Sequence, residues 1–519
     1  MATGVTGLSS PHPCAPDVFT FPDILGTRHR VTTAETVKGF TVGPEGASFC
    51  NVTVSYTHPG HDDLVNIHIW LPLTGFNSRF VGIGGGGWLA GEIGDDAMSA
   101  FTYQGYATAA TDAGYQHDVF STADAWLMKH HGNLDYPLLT NFAHRAVHEM
   151  AIIGKHMGEE YYGQPPAFSY WSGCSTGGRQ GLTSALLYPD DYDGILTSCP
   201  AVSFPSLMVA FFWSQSVMNR IGAYPEACQF EAVRLAAVET CDELDGSKDG
   251  IISRDDLCDF DPNTVVSKGF NCNGVPAKIS KETAEIVKAM LQGPTDPEGN
   301  SLFPGSTHGT SAVGLMALGN TRCEGGKCTG LPFTLATDWI RLLLKKDPSF
   351  DVTTLSLEEY SQLMHQSVRE YNGMFAADDA DLGRFRGSGK KMITWHGIND
   401  EAITINAMRR YYKAVMALDE SRGVDTRSYY RYFEVPGATH CSAPPGVGYP
   451  LHALDVLRQW VEEGIVPEML QTTRIGGVSD EEQLPLCPYP HIPVKKGNVV
   501  VCQERKKAHN EHLNTKDEL

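Results

Sequence analysis

The chain has 519 residues, enough for two or more domains or for one large domain with a long insertion. Its formal charge of −21, from 40 basic and 61 acidic residues, argues against nucleic-acid binding and does not favour anionic membranes. Hydrophobic residues make up 42% of the chain, which supports a large folded core. No stretch approaches the roughly twenty apolar residues of a membrane helix.

Cysteine content and the C-terminus both indicate the secretory pathway. Thirteen cysteines are many for a cytosolic enzyme. The last four residues, Lys516-Asp517-Glu518-Leu519, have the form of an ER-retrieval signal, whereas no signal peptide is visible at the N-terminus. We therefore expect a secreted or ER-luminal protein, and leave open whether a leader was removed and whether the C-terminal signal is native.

The first 202 residues alternate between strand and helix patterns. Two antiparallel strands are predicted at 51–58 and 64–71, and buried strands at 79–83, 106–111 and 194–199. Apolar residues at helical spacing predict a helix at 141–161. This alternation predicts a mainly parallel sheet covered by helices on both faces.

The stretch 168–187 has the pattern strand, sharp turn, helix, with Gly-Cys-Ser-Thr-Gly at 173–177. Glycines flank the serine because the turn is strained and the helix packs close to the strand. Ser175 would then lie beside a helix N-terminus, which favours developing negative charge. In a glycine-rich chain this pattern is weak alone, so an accidental match is the alternative.

Four glycines at 84–87 directly follow the predicted strand at 79–83. In hydrolases with a serine at such a turn, the loop after the third strand supplies an oxyanion-hole amide. The backbone N–H groups of Gly86 and Thr176 are the candidates. A phosphate-binding loop is the alternative, but the Gly-Lys-Ser/Thr ending of a P-loop is missing.

The pattern changes between residues 203 and 389. Helix patterns at 204–221, 226–240 and 280–291 are separated by Gly- and Pro-rich loops, and a strand pattern returns at 391–395. We therefore predict an α/β-hydrolase fold in which residues 1–202 and 390–519 form the catalytic domain. Residues 203–389 would form a large inserted lid domain that covers the active site.

The acid and base that a serine nucleophile needs follow in the expected order, Ser, Asp, His. Asp400 follows the strand pattern at 391–395, and His440 follows a strand pattern at 428–435. His440 would accept the Ser175 proton and return it to the leaving alcohol, while Asp400 would fix the imidazole tautomer. The alternatives are a helix N-cap for Asp400 and a structural loop residue for His440.

Two cysteines adjoin these residues: Cys174 precedes Ser175 and Cys441 follows His440. If the serine and histidine meet, their neighbours lie within disulfide reach, so we predict a Cys174–Cys441 bridge between the two loops. Further pairs are predicted as Cys14–Cys50, Cys323–Cys328 and Cys487–Cys502. Three other cysteines, Cys199, Cys228 and Cys272, stay unassigned, and the odd total leaves one unpaired in a monomer.

These motifs resemble the tannase and feruloyl esterase family: Gly-Cys-Ser-Thr-Gly-Gly-Arg-Gln at 173–180, His-Gly-Ile-Asn-Asp at 396–400 and Gly-Ala-Thr-His-Cys at 437–441. The likeness runs from about Cys14 to Cys502. It implies a serine esterase with a Cys-Ser, Asp, His-Cys triad locked by a disulfide, acting on gallate, hydroxycinnamate or related aromatic esters. The C-terminal ER signal is not a feature of that family, whose fungal members normally begin with a leader.

An acidic loop at 245–256 resembles an EF-hand loop without its exit helix. The family resemblance assigns this region to a structural Ca²⁺ and implies a Cys241–Cys258 bridge. The implied ligands are the side chains of Asp242, Asp245 and Asp249 and the main-chain oxygens of Ser247 and Ile251. We expect the ion to stabilise the lid, remote from the chemistry; a metal-free acidic turn is the alternative.

The leading hypothesis is a serine carboxylic ester hydrolase that cleaves aromatic esters through an acyl-enzyme. An acyltransferase or transesterase on an aromatic or polyketide ester is the alternative, because another alcohol can capture the same acyl-enzyme. A calcium-binding luminal protein is a third reading, suggested by the acidic loop. We expect a small-molecule ester as partner, with no nucleic acid and no membrane, and a homodimer stays open.

Overall fold

The computed structural model describes residues 10–40, 46–93, 96–115, 121–375, 377–474, 484–497 and 499–505. A nine-stranded mixed sheet organises this part of the chain, with the spatial order β1-β2-β3-β5-β4-β6-β7-β8-β9. The strands are β1 Arg28–Phe40, β2 Ala47–Thr57, β3 Val65–Pro72, β4 Arg79–Ile83, β5 Ala107–Thr111, β6 Phe168–Cys174, β7 Gly194–Ser198, β8 Lys391–Gly397 and β9 Tyr430–Val435.

The sheet divides into an antiparallel edge and a parallel body. β1, β2 and β3 pair antiparallel, and β3 joins β5 in the same sense. From β5 through β4, β6, β7 and β8 to β9 all pairings are parallel. Every residue of β5 and β7 is buried, as expected for parallel strands covered on both faces. The carboxyl ends of the parallel strands therefore meet at one edge of the sheet.

Helices cover both faces of this sheet. The longer helices are α1 Asp96–Tyr103, α2 Ala146–Tyr162, α3 Thr176–Leu187, α4 Phe204–Ala210, α5 Trp213–Ile221, α6 Ala227–Cys241, α7 Lys281–Gln292, α8 Leu357–Phe375, α9 Ile405–Ser421 and α10 Ala453–Glu463. Single-turn helices are Asp124–Leu127, Tyr136–Thr140, Thr334–Asp338 and Gly383–Gly387, and two π-helical turns are Asn141–Arg145 and Trp339–Leu344.

Two apolar cores result, one on each face. Met150 of α2, Leu182 of α3 and Met408 of α9 belong to the larger core. Met98 of α1 and Trp460 of α10 belong to the other core. The predicted mixed α/β fold with helices on both faces is thereby confirmed. Among the described helices none is long and apolar enough to cross a membrane.

The segment between β7 and β8 departs from the sheet. β7 and β8 are direct neighbours, and none of the described residues among 203–389 joins the nine-stranded sheet. The segment holds α4–α8 and two small hairpins, Gly269–Cys272 with Val275–Lys278 and Thr321–Glu324 with Lys327–Gly330. The helix predicted at 204–221 is in fact two helices, separated by a turn at Phe211 and Phe212 in which both residues keep right-handed helical backbone angles.

Three elements of the structure have no counterpart in the sequence analysis. The stretch before Cys50 contains the 13-residue strand β1, whose residues are mostly polar and exposed because it is the sheet edge. The amphipathic helix α8 was not predicted. The C-terminal region contains the hairpin His491–Lys496 with Val499–Glu504.

Six disulfides connect the described residues. The five predicted pairs are all present: Cys14–Cys50, Cys174–Cys441, Cys241–Cys258, Cys323–Cys328 and Cys487–Cys502. Cys228 of α6 pairs with Cys272 of the first hairpin. Cys199, at the end of β7, is the free cysteine and is fully buried.

A buried ion-pair network ties the 203–389 segment to the sheet. The guanidinium of Arg409 donates to Asp255 at 2.6 and 3.0 Å and to Glu434 at 2.6 and 2.9 Å. Arg505, from the C-terminal hairpin, donates to Glu434 at 2.6 Å. Two cations and two carboxylates thus neutralise one another where the 203–389 segment, α9, β9 and the C-terminal hairpin meet.

Candidate active site

The predicted nucleophile lies at a strained turn between β6 and α3. Ser175 has φ +60° and ψ −118°, a conformation that costs a non-glycine residue about 1–3 kcal/mol. A Cβ atom on Gly173 would lie 2.6 Å from the backbone of Gly177, so the turn requires glycine at this position. The chain therefore sets Ser175 at the carboxyl end of a central strand, directly before the first turn of a helix.

The predicted acid and base are in contact. Asp400 follows β8 and His440 follows β9, and His440 Nδ1 lies 2.9 Å from Oδ2 and 3.1 Å from Oδ1 of Asp400. Because Nδ1 faces a carboxylate, it carries the proton, which leaves Nε2 as the basic nitrogen. Asp400 does not cap the following helix; the N-cap of α9 is Thr404.

Asp400 is buried yet well supplied with hydrogen-bond donors. Its Oδ1 accepts from the backbone N–H groups of Ala402 at 3.0 Å and Ile403 at 2.7 Å. Its Oδ2 lies 3.1 Å from Nε2 of His396, a fully buried side chain on β8. Burial favours the neutral acid, but the charge of His440 and the hydrogen bonds from both histidines outweigh it and lower the pKa of Asp400.

The same pairing acts on His440. Burial disfavours the imidazolium, but the negative charge and hydrogen bond of Asp400 outweigh burial and raise the pKa of His440. A base whose pKa is raised in this way is a stronger proton acceptor, as general-base catalysis requires.

A disulfide joins the two loops that carry Ser175 and His440. The Cα atoms of Cys174 and Cys441 are 6.1 Å apart. The bridge therefore holds the residue before Ser175 next to the residue after His440. The sulfur of Cys199 lies within 4.8 Å of both bridged sulfurs, so a free thiol adjoins this disulfide.

The glycine loop at 84–87 packs against the first turn of α3. Gly177 N–H donates to Gly85 O at 2.8 Å, and Thr176 Oγ1 donates to Gly87 O at 2.8 Å. A Cβ atom on Gly84 would lie 2.6 Å from Gly177 Cα, so this approach requires glycine. Within the described residues, the N–H groups of Gly86 and Thr176 donate to no protein acceptor and stay available for a ligand.

The acidic loop forms a compact turn in which carboxylates accept backbone N–H groups. Asp242 accepts from Gly250 at 3.0 Å, Asp245 from Ser247 at 2.8 Å and Asp249 from Ile251 at 3.0 Å. Burial, and then the neighbouring charges of Asp245 and Asp242, raise the pKa of Asp249. A hard cation would relieve this repulsion, so the donor set fits Ca²⁺.

The acidic loop contacts the histidine loop. A Cβ atom on Gly437 would lie 3.0 Å from Cδ1 of Ile251, so the two loops meet three residues before His440. The side chain of Ile251, whose main-chain oxygen is a predicted ligand, therefore packs on the base of the histidine loop.

A cavity that is open to solvent lies between the 203–389 segment and the loop that carries Asp400. Its lining is mainly apolar and includes Leu207, Phe211, Trp213, Met290 and Phe303, with Glu401 at the acid loop. Thr307 Oγ1 donates to Ile398 O at 2.8 Å, which ties the segment to the acid loop beside the cavity.

Sequence reasoning missed three neighbours of the acid and base. Glu401 accepts the backbone N–H of His440 at 3.0 Å, His396 contacts Asp400, and Cys199 lies within 4.8 Å of Asp400 and His440. Glu401 and His396 are in or next to the motif at 396–400, so their position was a usable signal. Cys199 offered none, because only the strand order brings the end of β7 beside β8.

Comparisons with known proteins agree with this arrangement. The family model for tannase and feruloyl esterase matches residues 50–508. The chain belongs to the tannase and feruloyl esterase family. The resemblance noted in the sequence is thereby confirmed, and this member of the family is a carboxylic ester hydrolase.

Named relatives include a probable feruloyl esterase of Arthroderma benhamiae, which is 38% identical over 91% of this chain and 88% of its own length. The tannase of Aspergillus oryzae is 28% identical, with 87% and 84% covered. Among solved structures, the tannin acyl hydrolase of Aspergillus niger superposes with a TM-score of 0.86 at 27% identity, covering 95% of both chains.

Proposed function

We propose that this enzyme hydrolyses esters of aromatic acids through an acyl-enzyme on Ser175, with His440 as base and Asp400 as the acid that orients it. The observation that carries the proposal is the contact of His440 with Asp400 on a loop that a disulfide holds beside the Ser175 turn. The names of the relatives, feruloyl esterase and tannase, support an aromatic acyl group.

In the first step Ser175 Oγ attacks the ester carbonyl while Nε2 of His440 takes its proton. The N–H groups of Gly86 and Thr176 hold the developing oxyanion, aided by the N-terminus of α3. His440 then gives its proton to the leaving alcohol. Water, activated by the same nitrogen, attacks the acyl-enzyme and releases the aromatic acid and free Ser175.

Asp400 serves this cycle through its charge and its geometry. It keeps the proton of His440 on Nδ1 and stabilises the imidazolium that forms in each half-reaction. Its lowered pKa keeps it ionised at any pH at which His440 is neutral. Proton transfer therefore runs between Ser175, His440 and the leaving group, and Asp400 stays a carboxylate.

We further propose that residues 203–389 form a lid and that Ca²⁺ binds in its acidic loop. The side chains of Asp242, Asp245 and Asp249 and the main-chain oxygens of Ser247 and Ile251 would hold the ion. When bound, Ca²⁺ neutralises these carboxylates.

The six disulfides support a secretory location for the enzyme. The Lys516–Leu519 signal lies outside the described residues. A homodimer is a further hypothesis, which size-exclusion chromatography would test through the molecular mass of the protein in solution.

The test uses Ser175→Ala with methyl ferulate, methyl caffeate, methyl gallate and chlorogenate. We expect wild-type enzyme to release alcohol in a burst and the variant to lose at least about 10³-fold in kcat, as when a triad member is removed. Ser388→Ala is the matched control, because this exposed serine precedes β8 and so lies at the opposite end of that strand from Asp400. Full activity in Ser175→Ala would refute the proposal, and adding a competing alcohol measures any acyl transfer.

A further inference from the structure

Glu401 holds the backbone of the proposed base. Its Oε2 accepts the N–H of His440 at 3.0 Å, while the preceding residue, Asp400, holds the imidazole ring of the same histidine at 2.9 Å. The next residue, Cys441, is bridged to Cys174. His440 is thus fixed at three successive points: its backbone N–H, its ring and its following residue.

Glu401 is also a charged group in a partly buried place. It lines the cavity beside the acid loop, and its carboxylate accepts the backbone N–H of His440. Burial and then the charge of Asp400 raise the pKa of Glu401, and its own charge raises the pKa of His440. Two adjacent carboxylates therefore act on one imidazole.

We propose that Glu401 is a positioning residue for the reaction: its carboxylate anchors the His440 loop through the N–H group and its charge strengthens His440 as a base. The inference rests on the proposed function, because it requires His440 to be the base. Among the described residues, the other titratable groups around His440 are Asp400, Cys199 from the end of β7 and, behind Asp400, His396 of β8. None of these groups contacts the backbone N–H of His440.

Two substitutions separate the two effects. Glu401→Gln keeps an oxygen that accepts the N–H but removes the charge, whereas Glu401→Ala removes both. Removing a negative charge near an imidazole lowers its pKa, so the neutral base persists to lower pH. We expect the acid limb of the kcat/KM profile of Glu401→Gln to move down by about half to one pH unit, the effect of one nearby charge in a partly screened site.

The maximum of the kcat/KM profile reports how well Glu401 holds the backbone of His440. We expect kcat/KM at its optimum to fall less than about threefold in Glu401→Gln and at least about tenfold in Glu401→Ala, because a misplaced base loses its near-attack geometry. Glu420→Gln, an exposed residue of α9 with the same change in charge, should move neither limb nor plateau. If Glu401→Ala does not fold, the shift of the acid limb in Glu401→Gln decides the test by itself.

A second readout avoids substrate binding: the pH dependence of Ser175 phosphonylation by a small aryl phosphonate should show the same shift. An acid limb in Glu401→Gln that coincides with that of the wild type, or an undiminished plateau in Glu401→Ala, overturns the inference. Activity retained in Ser175→Ala would instead overturn the proposed function. The two failures are therefore distinguishable in one set of proteins.

Discussion

Removing the Cys174–Cys441 bridge should reduce catalysis more than it disturbs the fold. The double variant Cys174→Ala/Cys441→Ala frees the histidine loop from the Ser175 turn. Both alanines are needed, because in either single variant the remaining thiol lies within 4.8 Å of Cys199 and could form a replacement bridge. The double variant leaves Cys199 without a partner sulfur.

The size of the effect on stability follows from the sequence separation of 267 residues. In the chain-entropy model a loop of this length is worth about 5.6 kcal/mol, an upper value because three other disulfides lie inside it. Alanine at Cys174 keeps the backbone pairing of β6 with β7, and the two cysteines are only partly buried residues beside the second core. We therefore expect a lower urea midpoint but a cooperative transition.

The effect on activity comes from the position of His440. Asp400 and Glu401 still bind it, but a shift of about 1 Å in the base costs about 10²-fold. We expect kcat/KM for methyl ferulate to fall about 10- to 100-fold in the absence of urea, with circular dichroism used to check that the variant is folded. Phosphonylation of Ser175 should slow by a similar factor.

Cys323→Ala/Cys328→Ala is the matched control, since it removes a bridge with a sequence separation of 5 in the 203–389 segment. The chain-entropy model assigns about 2 kcal/mol to so short a loop. Activity should not change. If the Cys174/Cys441 variant is folded and keeps full kcat/KM, the bridge does not position the base and the reasoning fails.

Two further predictions concern pH and metal. Burial lowers the pKa of His58, but hydrogen bonds to Asp63 and Glu149 outweigh burial and raise the pKa to about 9. The resulting stabilisation is complete below the unfolded pKa of about 6.5 and is lost as pH rises through 9. The stability difference between wild type and His58→Gln should therefore be about 3 kcal/mol larger at pH 6 than at pH 10. A urea-midpoint difference independent of pH would contradict this. EDTA should lower the melting temperature of the wild type, because Ca²⁺ at 100 times its Kd adds about 2.7 kcal/mol of stability. Asp249→Asn should lose this response to EDTA. Glu298→Gln, a change at an exposed residue of the same segment, should keep it.

The parts of the site that could be predicted are those set by local pattern. Ser175, Asp400 and His440 each follow a buried strand, and parallel strands bring their carboxyl ends to one edge. The Cys174–Cys441 bridge followed from that meeting. Local pattern was therefore sufficient wherever the strand order alone decides proximity.

Other features depend on tertiary contacts that no local pattern reports. β1 is polar along most of its length, because an edge strand needs no apolar face, and so it was missed. The Cys228–Cys272 pair joins a helix to a hairpin 44 residues away, and three unassigned cysteines allowed several pairings. The contact of Ile251 with Gly437 connects two loops nearly two hundred residues apart and gave no signal in the sequence.

The ion-pair network around Arg409 sets a rule for replacing the 203–389 segment by a segment from another protein. Arg409 and Glu434 belong to the sheet and its helices, whereas Asp255 comes from the 203–389 segment. A transplanted segment without an acidic residue at this place would leave the Arg409–Glu434–Arg505 group with two cations for one carboxylate, at a cost of about 3–5 kcal/mol. A chimera needs either that acidic residue or a neutral side chain in place of Arg409, whatever the rest of its new segment contains.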